Sequence, residues 1–197
     1  MSIYDGFEKT PANHTALSPL SFIKRTALMF PDRDAVIYGE RRYSWSQLYA
    51  RATQLASALN AYNIGRGDTV AVLSANTPEM VEAHFGIPMS GAVLNTINTR
   101  LDADTISYIL DHGEAKAFIV DGELAPQAAQ AIQGRDILII DIADLQDNPN
   151  PNRIGTIDYA DFIASGDADA HWDMPTDEWD AIALNYTSGS TGRPKGV

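Results

Sequence analysis

Four short apolar runs constrain this chain most: Thr69-Val-Ala-Val-Leu-Ser74, Gly91-Ala-Val-Leu94, Ala117-Phe-Ile-Val120 and Ile137-Leu-Ile-Ile140. None alternates strictly between apolar and polar residues, which is how a strand reads when both of its faces are buried. The segments between them carry helical spacing and are too long for hairpin turns. Parallel pairing through helical crossovers is the natural result. The expected class is α/β, a layered, mostly parallel sheet with flanking helices. At 197 residues, 45% of them apolar, the chain has enough material for one such core.

The remaining elements follow from local signals. Residues 18–29 read as a helix, with Ser18 as cap, Pro19 at the first position and a stripe of Leu20, Ile23, Ala27 and Leu28. Ala35–Tyr38 and Arg41–Tyr43 flank Gly39-Glu40 as a tight hairpin. Ser44-Trp-Ser-Gln47 fits a capping box, and Leu48, Ala52, Leu55, Ala56 and Leu59 continue at helical spacing to about Asn63. Further helices are expected from Pro78 to about Phe85, from Asp102 to Gly113, over 124–132 and over 158–164. In the last of these Tyr159, Phe162 and Ile163 face inward. Residues 144–152 are polar, interrupted by Pro149 and Pro151, and read as an exposed connection. Trp172 and Trp179 are expected to pack against the core. Asp180–Tyr186 reads as a buried strand.

Charge and composition narrow the function. Fourteen basic and 26 acidic residues give a formal charge of −12, a surface that repels nucleic acid and anionic membranes. Local dipoles and a few basic groups still suffice to hold a polyanionic ligand. The absence of cysteine excludes disulfides, thiol catalysis and cysteine-based metal sites. His14, His84, His112 and His171 are scattered, and His84 and His112 read as helix residues without chemistry. No run reaches the length of a membrane span, and Met1–Asp5 has no secretory character, so a cytoplasmic location is expected.

The last segment carries the chemistry. The strand over 180–186 runs into Thr187-Ser-Gly-Ser-Thr-Gly-Arg-Pro-Lys195. Gly189 and Gly192 permit tight turns and close approach of the backbone to a ligand. Their N–H groups, with those of Ser190 and Thr191, suit an anion nest. Thr187, Ser188, Ser190 and Thr191 add hydroxyl donors, and Lys195 adds a mobile positive charge suited to phosphate oxygens. Arg193 either adds a second charge or faces water. A flexible linker has a similar composition, but a linker rarely follows a buried strand directly or continues into Arg-Pro-Lys-Gly. The loop is not a Walker A, because the lysine precedes its glycine and no hydroxyl residue follows. The strand at 69–74 leads into Ala-Asn-Thr-Pro, not into a glycine-rich dinucleotide fingerprint.

The eleven residues from Tyr186 to Gly196 resemble the phosphate loop of the adenylate-forming superfamily, which comprises acyl-CoA synthetases, adenylation domains and luciferases. Phe30–Ala35, Arg42–Leu48, Gly67–Ala71 and Asn76–Glu79 resemble segments of the same family. Gly91–Leu101 and Ile106–Leu110 look like its acyl-CoA ligase branch. Within that branch the chain resembles medium- and short-chain acyl-CoA ligases, among them the 3-methylmercaptopropionyl-CoA ligases.

The resemblance implies two half-reactions. A small or medium carboxylic acid attacks the α-phosphorus of ATP, giving an acyl-adenylate and pyrophosphate; the thiol of coenzyme A then displaces AMP. Thr187, Ser188, Gly189, Ser190, Thr191, Gly192, Arg193, Pro194 and Lys195 would hold the phosphates. Thr187 would also approach the Mg2+ ion, and Lys195 would act electrostatically in catalysis. The family pattern places residues 1–197 in the N-terminal portion of its large domain. The rest of that domain and a C-terminal lid would lie further on, leaving this stretch alone inactive. The resemblance also implies a homodimer. Two other readings stay open at this point: an adenylation domain that loads a carrier protein, and a nucleotide-binding module without turnover.

Overall fold

In the computed structural model, which describes residue 6 and residues 8–143, 151–187 and 193–197, the first helix, α1 (Leu20–Met29), starts just after Ser18. Ser18 Oγ accepts the Leu20 N–H at 3.3 Å, although the helical turn itself begins one residue later than the sequence suggests. Leu20 and Ile23 are buried, but Leu28 is 80% exposed. At 3.6 residues per turn Leu28 lies about 80° round from Leu20, on the side away from Ile23, and leaves the buried stripe. Strands β1 (Asp34–Tyr38) and β2 (Arg41–Ser44) form the expected antiparallel hairpin.

Helix α2 (Trp45–Ala61) opens on the capping box: Ser44 Oγ accepts the Gln47 N–H at 3.3 Å, and Gln47 Oε1 accepts the Ser44 N–H at 2.8 Å. Strand β3 (Thr69–Leu73) is buried at every position. Helix α3 (Pro78–Met89) then runs four residues past the expected end at Phe85 and carries Pro88 inside it. Pro88 has no N–H to give to the preceding turn. The burial of Ile87, Pro88 and Met89 offsets that lost bond.

Next come β4 (Val93–Thr96), α4 (Ala103–His112), β5 (Ala115–Asp121), α5 (Ala125–Ala131) and β6 (Leu138–Ile142). Strand β7 (Ile157–Asp158) and α6 (Tyr159–Ala164) follow. The two-residue β7 was not foreseeable from its length. The buried Asp141 carboxylate fixes it by accepting the Ile154 and Gly155 N–H groups at 3.1 and 2.9 Å.

The central sheet has the order β4-β3-β5-β6-β7, and all its pairs are parallel. One face packs against α2, α3 and α6 through Leu55, Leu59, Ala83, Ile87, Phe162 and Ile163. The other packs against α4 and α5 through Ile106, Ile109, Leu110, Ala128 and Ala131. Leu20 and Ile23 of α1, Leu48, Ala52 and Ala56 of α2 and Met89 of α3 make a third, smaller core. Helices on both faces account for the near-continuous apolar character of the strands. No helix among the described residues is long and apolar enough to cross a membrane.

Two expectations fail near the C-terminus. Trp172 does pack, its Nε1–H donating to Tyr49 Oη at 3.1 Å, but Trp179 is 93% exposed. A turn from Asp177 to Asp180 carries the Trp179 side chain outward. Asp180–Tyr186 is not a full, buried strand. It makes one parallel bridge, Ala183 with Leu94, with Leu94 N–H donating to Ile182 O at 3.0 Å and Leu184 N–H to Leu94 O at 2.8 Å. Ile182, Leu184 and Tyr186 are half-buried, while Ala181, Ala183 and Asn185 are exposed. The short β4 is the edge of the sheet and offers this segment a single register position.

A polar seam ties the layers together. Glu82 of α3 is fully buried, takes Arg51 Nε of α2 at 2.5 Å and accepts the Tyr159 O–H of α6 at 3.0 Å. Burial raises the Glu82 carboxyl above its ordinary value, with Arg51 opposing it. Burial, together with the Glu82 charge, pushes the Tyr159 phenol well above its ordinary value, so it remains a donor. Arg41 of the hairpin pairs with Glu79, one turn earlier on α3.

The α2–α3 contact depends on Gly86. A Cβ there would lie 2.8 Å from Ala52 O and 2.9 Å from Leu55 Cβ, both on α2. Gly86→Val is expected to cost about 1–3 kcal/mol by overpacking. Chemical denaturation checks this; an unchanged midpoint would show that the helices separate freely.

Candidate functional site

The sheet order makes a crevice. Strand β3 leads into α3 on one face, and its neighbour β4 leads into α4 on the other. The chain therefore leaves these two strand ends in opposite directions, and open α/β sheets take ligands outside the carboxyl ends of their strands. A cleft of about 630 Å³ lies there. Ser74 and Asn76 after β3, Thr96 and Asn98 after β4, and Asn185 and Tyr186 all line it. The starts of α3 and α4 follow the same strand ends, so both helix dipoles present their positive ends on this side of the sheet. Asp102 caps α4, accepting the Thr105 N–H at 2.8 Å, a bond that holds its carboxyl below the ordinary range.

The segment after residue 184 reaches the mouth of this cleft. Strand β8 (Tyr186–Thr187) pairs antiparallel with β9 (Lys195–Gly196), placing Tyr186 opposite Gly196 and Thr187 opposite Lys195. Asn185 and Val197 exchange both backbone bonds, at 2.9 and 2.7 Å. Thr96 Oγ1 donates to Asn185 Oδ1 at 3.3 Å and ties this pair to the end of β4. Directly opposed residues project to the same face, with Cβ atoms roughly 5 Å apart. Thr187 and Lys195 are thus brought together, and both are exposed. Lys195 has no ion pair among the described residues.

Arg193 is exposed, with its guanidinium 5.3 Å from the centre of the Tyr108 ring. Pro194 is half-buried beside it. Ser188, Gly189, Ser190, Thr191 and Gly192 lie outside the described residues.

Two contacts escape a reading of the sequence. His112, which reads as a helix residue without chemistry, places Nδ1 2.8 Å from the Tyr186 hydroxyl. Burial, then the neighbouring Tyr108, raises the Tyr186 phenol. The Thr96–Asn185 bond joins residues 89 apart. The spacing of Tyr108 and His112 at i and i+4 puts those two on one helix face, but no local signal points to Tyr186 or to Asn185. No group of three or more histidine or acidic side chains is placed to hold a metal among the described residues. Thr187 supplies one hydroxyl oxygen, which fits a Mg2+ ion that takes its other ligands from phosphate and water.

The family model of AMP-binding enzymes matches residues 23–197. The peroxisomal acetate/butyrate–CoA ligase AAE7 of Arabidopsis thaliana is 45% identical over 207 residues, covering 98% of this chain and 36% of that protein. The acetate–CoA ligase CCL3 of Humulus lupulus is 43% identical over 206 residues, with the same two coverages, 98% and 36%. Among solved structures, the anthranilate CoA ligase AuaEII in complex with anthranoyl-AMP matches with a TM-score of 0.82 at 24% identity, over 96% of this chain and 36% of that one. At that identity the likeness is one of fold. The chain thus spans 36% of the length of these relatives.

Proposed function

The chain belongs to the AMP-binding enzyme family, and on that premise we propose that it is the phosphate-holding part of an ATP-dependent, AMP-forming acyl-CoA ligase. The observation that carries this reading is the opposition of Thr187 and Lys195 at the mouth of the cleft beyond the ends of β3 and β4. A hydroxyl and an ammonium that has no ion pair among the described residues, side by side, suit the β and γ phosphates of ATP and the pyrophosphate that leaves. In the first half-reaction a carboxylate oxygen bonds to the α-phosphorus, the bond to the bridging oxygen breaks, and pyrophosphate departs with the electron pair. The nucleophile is already charged, so alignment and charge neutralisation matter more than a base. Lys195 supplies neutralisation where charge accumulates. Ser188–Gly192, with Arg193 and Pro194, complete the phosphate loop in this reading. Thr187 would contribute one hydroxyl oxygen to a Mg2+ ion, which would screen the phosphate charges. Coenzyme A accepts the acyl group in the second half-reaction.

The acid is proposed to be small or medium in length, consistent with the acetate and butyrate in the relatives' names. Residues 1–197 are assigned to the N-terminal portion of a larger domain, with further parts needed for turnover, so the isolated chain is expected to be inactive. We place the full-length protein in the cytoplasm as a homodimer; the peroxisomal relative supplies the alternative location. Isotope exchange between pyrophosphate and ATP tests the function. The full-length protein is expected to catalyse it when acetate, butyrate or a longer acid is added. Failure across a panel of acids, or exchange that needs no acid, would overturn the reading.

A further inference from the structure

Helix α4 touches both arms that flank residues 188–192. Tyr108 and His112 are one turn apart on the same helix face, with ring centroids 5.4 Å apart and planes tilted by 33°. His112 meets the outgoing arm: its Nδ1 lies 2.8 Å from the Tyr186 hydroxyl, and the two rings meet edge-to-face at 5.7 Å and 78°. Tyr108 meets the returning arm, where the Arg193 guanidinium sits 5.3 Å from its ring centre. The next residue along the first arm is Thr187, and Lys195 lies two residues beyond Arg193.

The arms need such a support. Strands β8 and β9 have two residues each, and a two-stranded ribbon is marginal by itself. Helix α4 is firmly held. Ile106, Ile109 and Leu110 are at most 3% exposed. Arg135 Nη2 donates to Ser107 O at 2.9 Å and to Ser107 Oγ at 2.7 Å, and pairs with Asp111 at 2.7 Å. Its Asp102 cap fixes the other end. The contact to Tyr186 is polar and lies on the exposed side of α4, where packing alone would not call for a histidine. Because the Tyr186 phenol is raised, its O–H is available to donate to Nδ1 in the tautomer that leaves that nitrogen bare.

We propose that Tyr108 and His112 are positioning residues, which hold the two arms so that Thr187 and Lys195 face the same phosphate. The proposal rests on the phosphate-holding reading given above, and it deepens that reading by assigning α4 as the bracket of the loop. Neither residue touches the reacting atoms. Their effect is on alignment, where a displacement of about 1 Å costs up to 10²-fold in rate.

The test uses Tyr186→Phe, His112→Leu and His112→Asn, the last keeping a hydrogen-bonding group near the Nδ1 position. In an antiparallel ladder the pair after Asn185 and Val197 that exchanges hydrogen bonds is Thr187 and Lys195. Amide hydrogen exchange on the full-length protein is followed at residues 185, 187 and 195, with the β3 amides as a control for folding. Tyr186→Phe and His112→Leu are each expected to speed exchange at these amides roughly fivefold to tenfold, the loss of about one hydrogen bond. The double variant is expected to be no faster than either single one, and His112→Asn is expected to match the wild type. In the full-length protein the same variants are expected to lower kcat for acid-dependent pyrophosphate release about tenfold, with KM for ATP within about twofold, and His112→Asn to restore it. Unchanged exchange at residues 185, 187 and 195 would overturn the proposal. Changed exchange in a full-length protein that releases no pyrophosphate with any acid would sink the phosphate-holding reading and leave the bracket standing.

Discussion

Lys195→Ala in the full-length protein is expected to slow acid-dependent pyrophosphate release by about 10²–10³-fold, the usual loss when one preorganised charge-stabilising donor is removed. The side chain is exposed, lies opposite Thr187, and has no ion pair among the described residues. Its charge is therefore available to a ligand. Pyrophosphate gains charge as it leaves, so the loss should fall on kcat, with the KM for the acid nearly unchanged. Lys195→Arg keeps the charge but spreads it over a planar fork, and a partial recovery is expected. Steady-state rates at saturating ATP and acid check both. A Lys195→Ala protein with wild-type kcat would remove Lys195 from the chemistry.

The second large effect is on stability. Glu82→Ala leaves Arg51 without its carboxylate and the buried Tyr159 hydroxyl without its acceptor. Breaking a buried pair from one side costs about 3–5 kcal/mol. Arg51 retains 25% side-chain exposure, so water relieves part of that, and about 3 kcal/mol is the expected loss. For a chain of this size that corresponds to a fall in Tm of roughly 6–12 °C. Calorimetry on Glu82→Ala and Tyr159→Phe separates the two contributions. A shift below about 2 °C for Glu82→Ala would show that the seam between α2, α3 and α6 contributes little.

Much of the fold was legible because its causes are local. The Ser44–Gln47 box, the helix start at Asp102 and the apolar runs at β3 and β5 each announce themselves within a few residues. The parallel sheet follows from the spacing of those runs. What the sequence hides is set by distant neighbours. Leu28 fits a helical stripe in sequence but faces solvent, because the neighbouring layer covers only the Leu20–Ile23 side. Pro88 signals an end to a helix that burial carries past it. Residues 180–186 have the composition of a strand, yet the edge strand beside them is too short to pair with them fully.

The candidate site divides in the same way. The chemical types in Thr187–Lys195 were readable. The opposition of Thr187 and Lys195 depends on β8 folding back on β9. The contact of His112 with Tyr186 depends on α4 lying beside that hairpin. A histidine in a helix carries no local sign of a tyrosine 74 residues away.

The central claim is that a carboxylate oxygen attacks the α-phosphorus of ATP in the protein to which this chain belongs. The most direct measurement is turnover with a carboxylic acid labelled with oxygen-18 in both carboxyl oxygens, in the presence of ATP and coenzyme A. The account predicts one labelled oxygen in AMP and none in pyrophosphate, because the acyl–oxygen bond breaks when the thiol displaces AMP. Label in inorganic phosphate, with ADP as the nucleotide product, would contradict it.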